Sequence, residues 1–318
     1  MTLKGYIGIY AAAIAAMLPS ALPALATDWA TPRISVACIR TEPAHAAELS
    51  SQAVMGTPMQ VLEHRGEWYK VETPEGYQGW MTAPSLVTRT DAEMAQWRAD
   101  DNRLVVTAVY QVRAYNGPHT YGFKDVVTDL VNACIITATG RSEGVRVEVA
   151  LPDGRKGWVD ASAVTPIRLW AAQDFNAEKI LDMAYSMEGQ PYLWGGTSTK
   201  SLDCSGLSKV SYLSCAIILK RDASQQARTG LRIEAADWRS CQAGDLLFFG
   251  NADTGKVTHV AIYDTNGNYV HSSGRVKRNS VDPASPAYLT TPFLHAVRIH
   301  GYEGSDGITQ VRNHPWYF

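Results

Sequence analysis

One decapeptide of this chain occurs twice. Pro74-Glu75-Gly76-Tyr77-Gln78-Gly79-Trp80-Met81-Thr82-Ala83 is echoed by Pro152-Asp153-Gly154-Arg155-Lys156-Gly157-Trp158-Val159-Asp160-Ala161, with a constant offset of 78 residues from Pro74 to Pro152. Each copy follows an alternating run, Trp68-Tyr69-Lys70-Val71-Glu72 in the first and Val145-Arg146-Val147-Glu148-Val149 in the second. Alternation leading into Glu-Gly or Asp-Gly is the pattern of a β-hairpin, and the Gly-Trp pair then sets an aromatic on the returning strand. A repeat of this period predicts two duplicated all-β modules, residues 28–87 and 103–167. Between them, over 88–102, Thr90 and Glu93 form a capping-box pattern that predicts a short connecting helix.

From residue 170 the pattern changes. Residues 176–187 carry Ile180, Met183, Ala184 and Met187 at helical spacing, and Gly189, Gln190 and Pro191 end that run. A second helix is predicted from Cys204 to about residue 219 and a short third over 223–229. Strands are expected at 245–249, 259–264, 269–271 and 294–299. Helices followed by an antiparallel sheet make residues 170–318 an α+β unit.

The amino end has the pattern of a secretory signal over residues 1–26. Lys4 supplies the positive end, an apolar run follows from Ile7 to Leu18, and Ala24-Leu25-Ala26 offers small residues for cleavage. Pro19 and Pro23 and the shortness of the run argue against a retained membrane helix. Export follows as the expectation, to the periplasm first and otherwise to the outside or the wall, with no stable membrane insertion after cleavage. A formal net charge of −2 gives no electrostatic support for a nucleic-acid partner. Five cysteines leave at least one thiol unpaired, and the absence of Cys-x-x-Cys argues against structural zinc.

Asp203-Cys204-Ser205-Gly206 opens the second predicted helix. Most buried cysteines are inert, but this one sits where a turn enters a helix. Unpaired amides and the positive end of the helix dipole there favour thiolate and can donate to an oxyanion. Cys38, Cys134 and Cys215 lie in apolar runs and suit a core or a disulfide. Cys215 is expected deep on the Cys204 face of the same helix, and Cys241 is expected to be partly exposed. His259 lies in Val257-Thr258-His259-Val260-Ala261-Ile262-Tyr263, where the bland reading is a core histidine. His271 follows twelve residues later in Tyr269-Val270-His271-Ser272-Ser273-Gly274. In a hairpin the two imidazoles can meet, so that one serves as base and the other fixes its tautomer. The six remaining histidines suit surface or local structural places.

Residues 170–318 resemble the NlpC-type family of bacterial cell-wall cysteine peptidases. The resemblance rests on Gly189-Gln190-Pro191-Tyr192-Leu193-Trp194-Gly195-Gly196, Leu202-Asp203-Cys204-Ser205-Gly206-Leu207, Ala243-Gly244-Asp245-Leu246-Leu247-Phe248-Phe249 and the two histidine strands. Ala243 stands where the family often has proline. The repeats resemble bacterial SH3-like domains, and the tandem arrangement resembles γ-D-glutamyl-L-diamino-acid endopeptidases. The resemblance implies a papain-like domain after two SH3-like barrels, with no cofactor and no metal. It implies Cys204 as nucleophile, His259 as base, His271 as orienting residue and the Tyr192 hydroxyl at the oxyanion site. Trp194, Asp203, Ser205 and Ser224 would line the substrate groove, with Glu48 either in a buried pocket receiving the free amino group of L-alanine or a solvated surface charge, and Trp80 either adding an apolar wall or, the better fit, packing in the core of its own module. The implied substrate is a peptidoglycan stem peptide, L-Ala-γ-D-Glu-diamino acid, cut at the γ-D-glutamyl bond. Two other readings remain open: an acyltransferase on the same triad, and a wall-binding protein without catalysis.

Overall fold

The computed structural model describes residues 28–318. The signal segment expected over 1–26 lies outside the described residues. The first module runs β1 (Trp29–Pro32), β2 (Val36–Arg40), β3 (Leu49–Val54), β4 (Met59–Arg65), β5 (Trp68–Glu72), β6 (Gln78–Thr82) and β7 (Leu86–Arg89). Helix α1 (Asp91–Ala99) follows, and Thr90 and Glu93 make both bonds of its capping box. The second module runs β8 (Arg103–Val106), β9 (Gln111–Tyr115), β10 (Val126–Val131), β11 (Ile135–Glu143), β12 (Arg146–Ala150), β13 (Lys156–Asp160) and β14 (Val164–Pro166).

The spatial orders are β3-β2-β6-β5-β4-β1-β7 and β10-β9-β13-β12-β11-β8-β14. Adding seven to each label of the first order gives the second, so the repeated decapeptide belongs to a repeated topology. Its chemistry is local. Gly76 (φ +79°) and Gly154 (φ +84°) occupy the left-handed turn position that a side chain disfavours. Gly79 and Gly157 precede the buried tryptophans Trp80 and Trp158. A Cβ on Gly79 would lie 2.4 Å from Ile39 Cγ2 and 2.8 Å from the Arg40 carbonyl oxygen, so glycine lets β2 cross β6 closely. At Gly157 the nearest atom would be Ala114 Cβ at 2.9 Å. The modules touch: Val54 and Met55 join the core of the second, and Ile135 N–H donates to the Met55 carbonyl at 2.9 Å.

The C-terminal region begins with α2 (Ile167–Ala171) and α3 (Ala177–Ser186), the latter capped by Asn176, whose side chain accepts from Lys179 N. Ile180, Met183, Ala184 and Met187 are buried, as the helical spacing predicts. A small hairpin of β15 (Thr197–Ser198) and β16 (Ser201–Leu202) precedes α4 (Cys204–Leu213). Next come β17 (Ile217–Leu219), α5 (Ala223–Gln226), β18 (Leu231–Glu234), β19 (Leu246–Gly250), β20 (Val257–Tyr263), β21 (Asn268–Ser273), β22 (Arg275–Ser280), β23 (Phe293–Arg298) and β24 (Ile308–Gln310). Six of these strands form one sheet in the order β18-β23-β19-β20-β21-β22, and α3 and α4 cover its apolar face. This is an α+β fold.

Four sequence expectations are corrected here. The second helix ends at Leu213, not near 219: Ala216 takes φ +56°, and Ile217–Leu219 pairs with Ile308–Gln310. A short apolar β-branched run satisfies helix or strand equally in the sequence, and a distant partner strand decides. Cys215 therefore lies past the helix, buried, and does not share the Cys204 face. Cys38 is exposed and Cys241 buried, the reverse of expectation, and all five cysteines are free thiols.

The crossing predicts unequal glycine sensitivity. Gly79→Ala is expected to destabilise by about 1–3 kcal/mol, as overpacking does, and Gly157→Ala by less. Urea unfolding followed by tryptophan fluorescence measures both.

Candidate active site

Asp203 caps α4: its carboxylate accepts from Gly206 N–H at 2.7 Å and from Gly195 N–H at 3.0 Å. These glycines are steric requirements. A Cβ on Gly206 would stand 1.9 Å from the Gly196 carbonyl oxygen, and one on Gly195 (φ +79°) would stand 2.3 Å from the Leu49 carbonyl oxygen of β3. The same carboxylate pairs with the Arg221 guanidinium, which also reaches Ser205 Oγ at 2.9 Å and Ser51 Oγ of the first module at 3.1 Å. All four side chains are buried. The helix start is thus fixed from behind, and Cys204 is its first residue.

Cys204 is partly buried against the main core and lines the same cleft as Val257. The N–H groups of Ser205 and Val260 approach its sulfur. These donors favour thiolate but do not prevail. Burial, helped by the adjacent Asp203 carboxylate, pushes the thiol up to about 11. Desolvation is the largest influence on this thiol and opposes the thiolate that the helix start favours.

His259 on β20 and His271 on β21 meet as expected, with Nε2 of His259 and Nδ1 of His271 2.7 Å apart. The register Ile262↔Val270 makes them diagonal neighbours, not directly opposed. His271 is fully buried. Phe249 packs on His259 and Tyr269 stands edge-on to His271. Burial holds His259 down to about 3, with His271 and Lys277 adding to the shift. Burial likewise holds His271 down to about 4, with Lys277 adding and the Asn279 hydrogen bond opposing. Burial therefore disfavours both the thiolate of Cys204 and the imidazolium forms of the histidine pair.

A cleft of about 500 Å³ opens over Cys204. Of the residues predicted from the sequence, Tyr192, Trp194, Asp203, Ser205, Ser224 and Glu48 all line it. Glu48 is exposed at the rim, not buried, and accepts from Trp194 Nε1. Trp80 is not brought to the cleft: it is buried in its own module with the Arg65 guanidinium over its ring. Burial and the neighbouring Cys204 push the Tyr192 phenol above its usual value, which keeps it a neutral donor.

A family model described as the NlpC/P60 family matches residues 189–298. A γ-D-glutamyl-L-lysine dipeptidyl-peptidase of Bacillus cereus (strain ATCC 10987 / NRS 248) is 30% identical over 259 residues, 77% of this chain and 74% of that protein. The chain belongs to the NlpC/P60 family. It is by membership a hydrolase among cysteine peptidases of peptidoglycan. The protein of the same name from Bacillus subtilis (strain 168) is 28% identical over 70% of this chain and 72% of its own. A model described as the bacterial dipeptidyl-peptidase Sh3 domain matches residues 39–86, within the first module. A solved NlpC/P60 family protein from Bacillus cereus ATCC 10987 shares the fold, with a TM-score of 0.70 at 24% identity over 85% of this chain and 99% of that one.

Within this NlpC/P60 protein the cleft also holds residues that the sequence reading passes over: Tyr77, Arg221, Asp222 and Lys256. A signal for Tyr77 is present in the repeat, because the second copy has Arg155 at that place. The turn of the first module is bound to α4 by a buried Glu75–Lys209 pair, whereas its counterpart Asp153 pairs with Arg33 and Arg155. Arg221 is demanded by the buried Asp203 carboxylate, which needs a cation, but no local pattern says which.

The raised thiol predicts the pH course of alkylation. With the folded thiol raised, the thiolate fraction is small at neutral pH and grows as pH climbs toward about 11. The rate of Cys204 alkylation by iodoacetamide is expected to rise continuously from pH 6 to 10, as the thiolate is the reacting form. A rate already level at pH 5–6 would instead indicate a preformed ion pair.

Proposed function

We propose that this protein hydrolyses the bond between the γ-carboxyl of D-glutamate and the diamino acid of a peptidoglycan stem peptide, using Cys204, His259 and His271. Attack by the Cys204 sulfur on the γ-carbonyl transfers the thiol proton to His259. The oxyanion is held by the Cys204 amide and the Tyr192 hydroxyl. His259 then gives its proton to the leaving amine, and the scissile C–N bond breaks. Water attacks the thioester with His259 as base, which releases L-Ala-γ-D-Glu and restores the thiol. Because burial disfavours the charged forms, proton transfer accompanies attack.

The observation that carries the reading is the composite cleft. Thr41, Glu48, Ser50 and Tyr77 come from the first module and share one depression with Cys204. A wall of this kind shortens the groove on one side, which suits a substrate that ends there. The Glu48 carboxylate supplies charge for the ammonium of a free N-terminal L-alanine. The names of the Bacillus relatives support the same bond. Trp194, Asp203, Ser205 and Ser224 line the groove, the first holding Glu48 and the next two holding the helix start. With the signal predicted over 1–26, the enzyme works on released wall fragments after export, most simply in the periplasm.

The test compares L-Ala-γ-D-Glu-diaminopimelate with its N-acetyl form. Only the free amine is expected to be cut well, and Glu48→Gln is expected to lower kcat/KM for it by about 10- to 100-fold, the worth of a hydrogen bond to a charged group. Equal cleavage of both peptides by the wild type would reject the free-terminus requirement.

A further inference from the structure

Beyond the three residues of the proposed triad, the hydrogen bonds continue in one direction. His271 Nε2 lies 3.0 Å from Asn279 Oδ1. Asn279 sits on β22 opposite Tyr269, one pleat along from His271, and so is a diagonal cross-strand neighbour on the same face. Its other amide atom, Nδ2, donates to the Ala287 carbonyl at 3.0 Å. That carbonyl is itself held, since Ser280 N–H donates to it at 2.9 Å.

These partners fix every proton. The Ala287 carbonyl can only accept, so the Asn279 amide must turn Nδ2 toward it. A flipped amide would set oxygen against oxygen there. Oδ1 therefore faces His271 and can only accept in turn. The proton of the neutral His271 must sit on Nε2, which leaves a lone pair on Nδ1. His259 must then place its proton on Nε2, donating to that lone pair. The remaining nitrogen of His259, Nδ1, is left unprotonated and able to accept a proton.

We infer that Asn279 is a positioning residue that sets the tautomer of both histidines, through His271, so that His259 presents a basic nitrogen to Cys204. This rests on the proposed hydrolysis for its purpose, though not for its geometry. Its importance follows from burial. His271 is fully enclosed, so water cannot replace a missing acceptor. Without Asn279, the reversed chain costs little: His271 protonated on Nδ1 donates to His259 Nε2, and His259 then carries its proton on Nδ1. In that arrangement the base points a hydrogen at the thiol and cannot accept from it. Relaying a tautomer choice through two rings is the role that a carboxylate plays in a one-histidine triad.

The experiment is long-range nitrogen–proton NMR of the full chain labelled with ¹⁵N-histidine at neutral pH, together with steady-state kinetics of Asn279→Leu. In the wild type both His259 and His271 are expected as neutral Nε2–H tautomers. Finding either as the Nδ1–H form would overturn the inference, and this reading needs no variant and no substrate. In N279L the His271 tautomer is expected to become mixed or reversed. The kcat is expected to fall about 10- to 100-fold, as for other second-layer partners, with KM within about twofold. Unchanged tautomers together with unchanged kcat in a folded N279L would also overturn it. If the wild type shows the expected tautomers but cleaves no stem peptide, the substrate assignment fails and the tautomer relay stands.

Discussion

The Asp203 carboxylate is the point on which the site hangs. It ends the loop by accepting from Gly195, starts α4 by accepting from Gly206, and is neutralised by Arg221, which reaches back to Ser51 in the first module. One buried charge thereby fixes the helix start, the Trp194-bearing loop and the position of the β-module against the cleft. Removing one partner of such a buried pair costs about 3–5 kcal/mol, because the other is left uncompensated. The pair therefore fixes one arrangement of module and helix more than it adds stability. The Glu75–Lys209 pair ties the first module to α4 a second time, six residues beyond Asp203.

That rigidity comes with dryness, and dryness sets the chemistry. The apolar neighbours that hold Cys204 and the histidines in place also remove the water that would stabilise their charges. Burial raises the thiol and lowers both imidazoles, which disfavours their charged forms. A reaction that creates charge in such a place depends on donors aimed beforehand. In the proposed reaction the Cys204 amide, the N–H groups near the sulfur and the proton order of the histidine chain receive that charge. The paired histidines and the open cleft over Cys204 count against a retired binding domain.

Much of this was legible in the sequence where chemistry and local geometry coincide. The repeat predicted duplicated β-modules because Glu-Gly and Asp-Gly turns and the Gly-Trp step are local requirements. Cys204 was legible because Asp203, Ser205 and Gly206 suit a helix start, and the histidines because strands of that spacing can place two rings together. What escaped was set by distant partners. Ile217–Leu219 became a strand only because Ile308–Gln310 lies beside it. Arg221, Tyr77 and Asn279 have no pattern of their own, and each takes its role from a group folded against it. Trp80 takes the core place open to it in the sequence and not the groove, because the Gly-Trp step serves the module core in both copies. The protonation state of Cys204 also lay beyond local reading, because it depends on how much apolar surface closes over the sulfur.

The most direct measurement is acid-quenched mass spectrometry of the enzyme during turnover of L-Ala-γ-D-Glu-diaminopimelate. The account predicts a transient adduct of L-Ala-D-Glu joined through the γ-carbonyl to the peptide that contains Cys204, gone when substrate is exhausted. Turnover that proceeds undiminished in Cys204→Ala, or an adduct found on another residue, would contradict it.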